Sequence, residues 1–348
     1  MTILKINYHN KIFDIFQVII FFLAVIACAF PAAHLSAQES LTLRGFEVSP
    51  NWNEQIKTFA FEPEVRIHIN APAAEKLDSR KATLLIFYAL PNGNTIEQTV
   101  GRQVTEGLDW HFNIQHIGAQ VRRLREIMPD ENVVIVYLEA GGKSWPAWRK
   151  KFPNNSEIIF HIVDTIRNEF QNFHPHVVLS GHSGGGSFIF GFLNDVDSIP
   201  NWIERIAFLD ANYSYDDSAR HGDKLIAWLK ADTIHRLCVI AYDDRNIMFN
   251  GKRVVGPDGG TFRATHRMLE HFEKNIQLTF HQDSTIQQYS GLNNQIEFLI
   301  HTNPSNSILH TVLVERNGFL HAMTFGTIFE SDAGAFFGDP IYSKWIQP

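Results

Sequence analysis

Residues 174–192 read His-Pro-His-Val-Val-Leu-Ser-Gly-His-Ser-Gly-Gly-Gly-Ser-Phe-Ile-Phe-Gly-Phe. Val177–Leu179 is a short apolar run of the kind that forms a buried strand. It enters Gly181-His182-Ser183-Gly184-Gly185, a G-x-S-x-G arrangement, and an apolar stretch able to open a helix follows at once. Strand, turn and helix in that order are the context of a nucleophile elbow. Small residues flank Ser183 because a sharp strand-to-helix turn leaves little room for side chains. The amides of a helix N-terminus point towards any negative charge that develops beside the serine. The plainer alternative is a glycine-rich turn that only lets a helix approach a sheet. Both glycines and the serine nonetheless fall where the elbow needs them.

Upstream of the elbow, the patterns at 41–48 and 64–69 alternate and read as early edge strands. Thr83–Leu90 is an almost unbroken apolar run, expected of a strand covered on both faces, and ends at the turn Pro91-Asn92-Gly93-Asn94. Ile114, Ile117, Val121, Leu124 and Ile127 have helical spacing, stopped by Pro129. Val133–Leu138 is a further buried strand, 139–153 a loop holding Trp145 and Trp148, and Ile158–Phe170 a helix.

Downstream, a helix is expected from Gly184 to about Leu193, then a strand at Trp202–Leu209 ending at Asp210. Arg220–Leu229 fits a helix, and Leu237–Tyr242 a strand ending in Asp243-Asp244. The stretch 245–295 is the least regular and is a candidate cap or insertion, with a helix at Phe262–Lys274 and an extended piece at Ile276–His281. Ile296–Ile300 is a strand, Asn303–Ser307 a loop, and Val312–Phe325 a helix. Strands alternating with helices predict an α/β fold: a mainly parallel central sheet flanked by helices, with its chemistry beyond the carboxyl ends of the strands.

The bulk numbers agree with one large domain over 38–348. The chain has 348 residues, 45% hydrophobic and 19% charged, and a net charge of −7, which gives a nucleic-acid partner no electrostatic support. Residues 1–37 read as an export signal: Lys5 and Lys11 precede the apolar Val18–Phe30, and Leu35-Ser36-Ala37 offers a small-residue cleavage pattern. Its loss would remove two lysines and one aspartate and leave −8. A periplasmic or secreted location follows. Val25-Ile26-Ala27-Cys28 also resembles a lipoprotein processing site, so membrane contact is expected only if the N-terminus is uncleaved or lipidated. In the cleaved form Cys238 alone remains, as a buried hydrophobe.

The elbow, the acids after later strands and a terminal histidine together resemble the α/β-hydrolase superfamily over roughly residues 83–325. The resemblance implies a three-layer sandwich and a serine, acid, histidine order along the chain. It places the triad histidine at His310, after the last strand and its loop, with His321 as competitor and His301 or His182 behind them. For the acid it favours Asp244, with Asp243 and Asp210 as alternatives. Gly184 is the first oxyanion donor, and the loop after Thr83–Leu90 supplies the second through Asn92 or Gly93, since Pro91 has no amide. The superfamily's His-Gly pair is missing there.

Trp145, Trp148, Trp110 and the cations Arg149–Lys151 either line a pocket mouth or pack the loop and face solvent, the second being favoured. Seventeen histidines raise the question of zinc, but no H-E-x-x-H or C-x-x-C occurs, and no G-x-G-x-x-G follows the first strand. No cofactor or metal is expected. The sequence therefore points to an exported serine hydrolase cleaving an ester, amide or related acyl bond of a small-molecule or cell-envelope substrate. A binding protein on the same scaffold and an acyltransferase are the alternatives.

Overall fold

The computed structural model describes residues 42–348, which lie within one compact unit. The export segment and its Cys28 alternative lie outside the described residues. The centre is an 11-stranded sheet of strands β1 (Glu47–Val48), β2 (Gln55–Phe61), β3 (Val65–Ala71), β4 (Thr83–Ala89), β5 (Asn132–Ala140), β6 (Pro175–His182), β7 (Ile203–Leu209), β8 (Arg236–Tyr242), β11 (Leu278–Gln282), β12 (Ile286–Gly291) and β13 (Ile296–His301). Strands β9 (Met248–Phe249) and β10 (Lys252–Arg253) form a separate two-stranded hairpin.

The order across the large sheet is β1-β2-β3-β5-β4-β6-β7-β8-β13-β12-β11. The six central strands, β5 to β13, pair in parallel, and antiparallel strands extend both edges. Every residue of β4 is buried, as its unbroken apolar run requires.

Alternate residues of each strand feed two different cores. Leu85, Phe87 and Ala89 of β4 join one cluster, and Leu84, Ile86 and Tyr88 the other. The first cluster is closed by helices α3 (Trp145–Lys151), α4 (Asn155–Glu169), α5 (Gly186–Asp195), α6 (His221–Ala231) and α7 (Thr261–Glu273). The second is closed by α1 (Ile96–Val100), α2 (Ile117–Ile127) and α8 (Phe319–Thr324). Helices on both faces of a mixed, mainly parallel sheet make the three-layer sandwich of the α/β-hydrolase type. Each fully buried Leu, Ile or Phe on these faces contributes about 1.5–3 kcal/mol to holding the layers together.

Four expectations change. Residues 139–153 are not one loop: Ser144 caps α3 by accepting from the Ala147 amide, and Pro146 sits where a helix tolerates it. The stretch 245–295 supplies α7 to one core and two strands to the sheet, so its irregularity is that of an edge rather than of a cap. Strand β12 escapes a periodicity reading because Ile286–Gly291 is mostly polar, without apolar alternation, and half-buried throughout. The helix expected at Val312–Phe325 is broken: Arg316 and Asn317 leave helical geometry, Asn317 at φ +61°, and only α8 continues.

Candidate active site

Parallel pairing brings the carboxyl ends of the central strands into line. His182 at the end of β6 is in register with Leu209 of β7, and Leu209 with Ile240 of β8. Ser183 and Asp210 are therefore the first residues beyond two neighbouring strands, which lie about 4.8 Å apart. Both hold left-handed backbone conformations, Ser183 at φ +54° and Asp210 at φ +48°. A side chain there is strained, and such outliers gather at functional sites.

The elbow is tight for a visible reason. A Cβ on Gly185 would run into the Ala89 carbonyl of β4, and one on Gly184 into the Asn92 side chain. After a single turn at Ser183–Gly185 the chain enters α5, so Ser183 stands at the mouth of that helix, half-buried.

His310 lies in the segment after β13. Asn303 braces that segment, donating to the carbonyls of Asp243 at 2.9 Å and Ser307 at 3.0 Å. His310 Nδ1 is 2.5 Å from Asp210 Oδ2, and the Asp210 carboxylate is fully buried. The His310 carbonyl lies 2.9 Å from His182 Nε2, and the two rings are 4.4 Å apart between centroids. Burial, with His310 nearby, holds His182 well below the usual histidine range, so it is a neutral ring that donates to that carbonyl. His310 is thus tied to an acid on one side and to the residue preceding Ser183 on the other.

Among the described residues no hydrogen bond joins Ser183 to His310. In ligand-free sites such contacts are often long and tighten once substrate is bound.

The acid on His310 is Asp210, not the favoured Asp244. Asp244 is buried and accepts from the Thr261 amide at 2.8 Å. The Thr261 hydroxyl donates to Asp210 Oδ1, so Thr261, at the start of α7, links the two carboxylates. Burial first, and the Asp210 charge second, push Asp244 up to about 6. Asp243 is outside this network, in a two-pronged pair with Arg245. Thr261 was missed because a threonine after Gly260 reads only as a helix start.

The remaining candidates separate cleanly. His321 Nε2 is 2.5 Å from Glu297 Oε2, near the amino ends of β8 and β13 and away from Ser183. His301 accepts from the Asn303 amide at 2.9 Å and lies against Phe337. In the turn after β4 the Gly93 amide donates to the Lys143 carbonyl at 2.9 Å. The Asn92 amide has no such partner among the described residues, and the Asn92 side chain lies over Gly184. Trp145 and Trp148 are buried, donating to the carbonyls of Leu138 and Pro63, and do not line the site. Trp110 is 63% exposed and stacks on His111.

No family model matches the chain, and no curated protein matches it in sequence. Solved structures similar to it include a thermostable esterase at 11% identity and TM-score 0.40, matched over 72% of this chain and 55% of that one. Another is the siderophore hydrolase EstB from Aspergillus nidulans, at 11% identity and TM-score 0.43, over 85% and 97%. A ferulic acid esterase matches at 11% identity and TM-score 0.42, over 77% and 98%. The chain has an α/β-hydrolase-like fold. That statement stands on the strand order and layering, because likenesses this distant carry no argument about chemistry.

Proposed function

We propose that this chain is a serine hydrolase acting on ester, amide or related acyl bonds, with Ser183, His310 and Asp210 as its triad. The observation that carries the reading is the 2.5 Å contact of His310 Nδ1 with a fully buried Asp210, one strand away from a serine held at positive φ. Asp210 fixes the ring with its Nδ1 proton inward, leaving Nε2 to take the proton of Ser183 as Oγ attacks the acyl carbon. The amides of Gly184 and Asn92 receive the oxyanion. His310 then gives its proton to the leaving group, and a water activated by the same ring frees the acyl-enzyme. An exported location and a small-molecule or cell-envelope acyl substrate complete the proposal.

Hydrolysis of short nitrophenyl esters by Asp210→Asn and Asp244→Asn tests the assignment. Losing the charge that orients His310 should lower kcat in D210N on the order of 10⁴-fold. D244N should stay within about tenfold of the parent, because Thr261 and not His310 contacts that carboxylate. The reverse order would remove Asp210 from the triad.

A further inference from the structure

A second cluster of reactive side chains sits at the opposite end of the same strands. Cys238 of β8 and Glu297 of β13 are register partners on adjacent parallel strands, so their side chains leave the sheet side by side. Helix α8 packs on that face and adds His321. The Cys238 sulfur, a Glu297 oxygen and a His321 nitrogen all lie within 4.8 Å of one another, and all three residues are buried. We propose that Cys238, Glu297 and His321 form a zinc-binding site distinct from the Ser183 centre.

Thiolate, imidazole and carboxylate together suit a borderline-soft divalent ion and four-coordinate geometry. Zinc–ligand bonds of about 2.0–2.3 Å in a tetrahedron set ligand atoms about 3.3–3.7 Å apart. The present spacings, from 2.5 Å between His321 Nε2 and Glu297 Oε2 up to 4.8 Å, bracket that value, so shifts of about 1 Å close the shell.

The supporting groups are also in place. Gln288 Nε2 donates to Glu297 Oε1 at 2.7 Å and turns the other oxygen, Oε2, towards His321, as outer-shell partners of metal ligands do. His321 also forms part of the wall of a surface groove of about 600 Å³ together with Glu330, Ser331 and Phe336. That groove is an entry path to His321 from solvent. Short-motif reasoning could not find this site, because its ligands are 59 and 24 residues apart in sequence.

Cobalt is the probe, since a thiolate ligand gives Co²⁺ a near-ultraviolet charge-transfer band. The chain has two cysteines, so the full-length Cys28→Ala variant leaves Cys238 as the only thiol. One equivalent of Co²⁺ should produce the band in C28A, and one equivalent of Zn²⁺ should abolish it. Gln288→Ala, which leaves all three ligands in place, should weaken Zn²⁺ binding about 10–100-fold. A single cooperative urea transition of C28A, followed by circular dichroism, serves as the folding control. A folded C28A chain that gives no band, or that binds Co²⁺ without one, overturns the proposal and leaves a hydrogen-bonded His–Glu pair beside an inert thiol.

Discussion

Ser183 at φ +54° and Asp210 at φ +48° are held in conformations that neither residue prefers. The sheet enforces both, because each is the first residue past a buried strand and the chain must turn there at once. Asp210 has its two oxygens taken by His310 and Thr261, while Asp244 Oδ1 is buried with no partner among the described residues. Asp244 is therefore held nearer neutral, up to about 6. For an acid raised in the folded state the sign is destabilising. The unfolded carboxyl ionises near its ordinary value of 3.8, so stability falls as pH rises from there to about 6 and stays low above it. Asp244→Asn should thus stabilise the protein by about 2 kcal/mol at pH 7.5 and by almost nothing at pH 3.5, read from urea midpoints at the two pH values. Equal gains at both would show that Asp244 carries no such penalty. Ser183 and His310 are the candidates to which strand, glycines and chain order point in the sequence, and the contact of His310 with Asp210 adds geometry to that candidacy. The choice among Asp210, Asp243 and Asp244 was not legible, since three acids at neighbouring strand ends differ only in which side chain faces the ring.

At the level of elements, the close approach of α5 to β4 depends on Gly185, whose missing Cβ leaves room for the Ala89 carbonyl. Gly185→Ala should cost on the order of 3 kcal/mol or more, seen as a lowered thermal midpoint and a lost elbow geometry. A midpoint unchanged within a degree would mean the helix can slide. A second test belongs to the ordering of β2 and β3 against α2. Glu54 lies buried between Arg122 at 2.9 Å and Arg125 at 2.7 Å, and the two guanidiniums pull its carboxyl below the usual range against the desolvation that raises it. Glu54→Ala strands two cations and should destabilise by about 3–5 kcal/mol. Strand β4 and helices α2, α4 and α6 were readable from periodicity. Helix α3 and strand β12 were not, because one is a short capped helix rich in tryptophan and cations and the other has no alternating apolar pattern. The break at Arg316–Asn317 was hidden by apolar residues on both sides of it.

Across the molecule, the two faces of one sheet are filled by different sets of helices, while the candidate site residues gather where β6, β7 and β13 end. This division lets the centre of the sheet stay rigid under a site built from loops. No helix among the described residues is long and apolar enough to cross a membrane. The α/β architecture was legible because parallel strands buried on both faces must be apolar along most of their length, which β4, β5 and β8 are between their ends. The edges were less so, since strands such as β2, β11 and β12 are partly exposed and carry mixed polar and apolar residues. The central claim is that Ser183 is a nucleophile activated by His310. It is tested by intact-mass analysis of the purified chain after exposure to a fluorophosphonate, beside Ser183→Ala, His310→Ala and His321→Ala. The expected result is one adduct on the parent chain, absent in S183A, slowed by at least about 10³-fold in H310A and unchanged in H321A. A folded parent chain that takes no adduct, even from a smaller sulfonyl fluoride, or an H310A chain labelled at the parent rate, would contradict it.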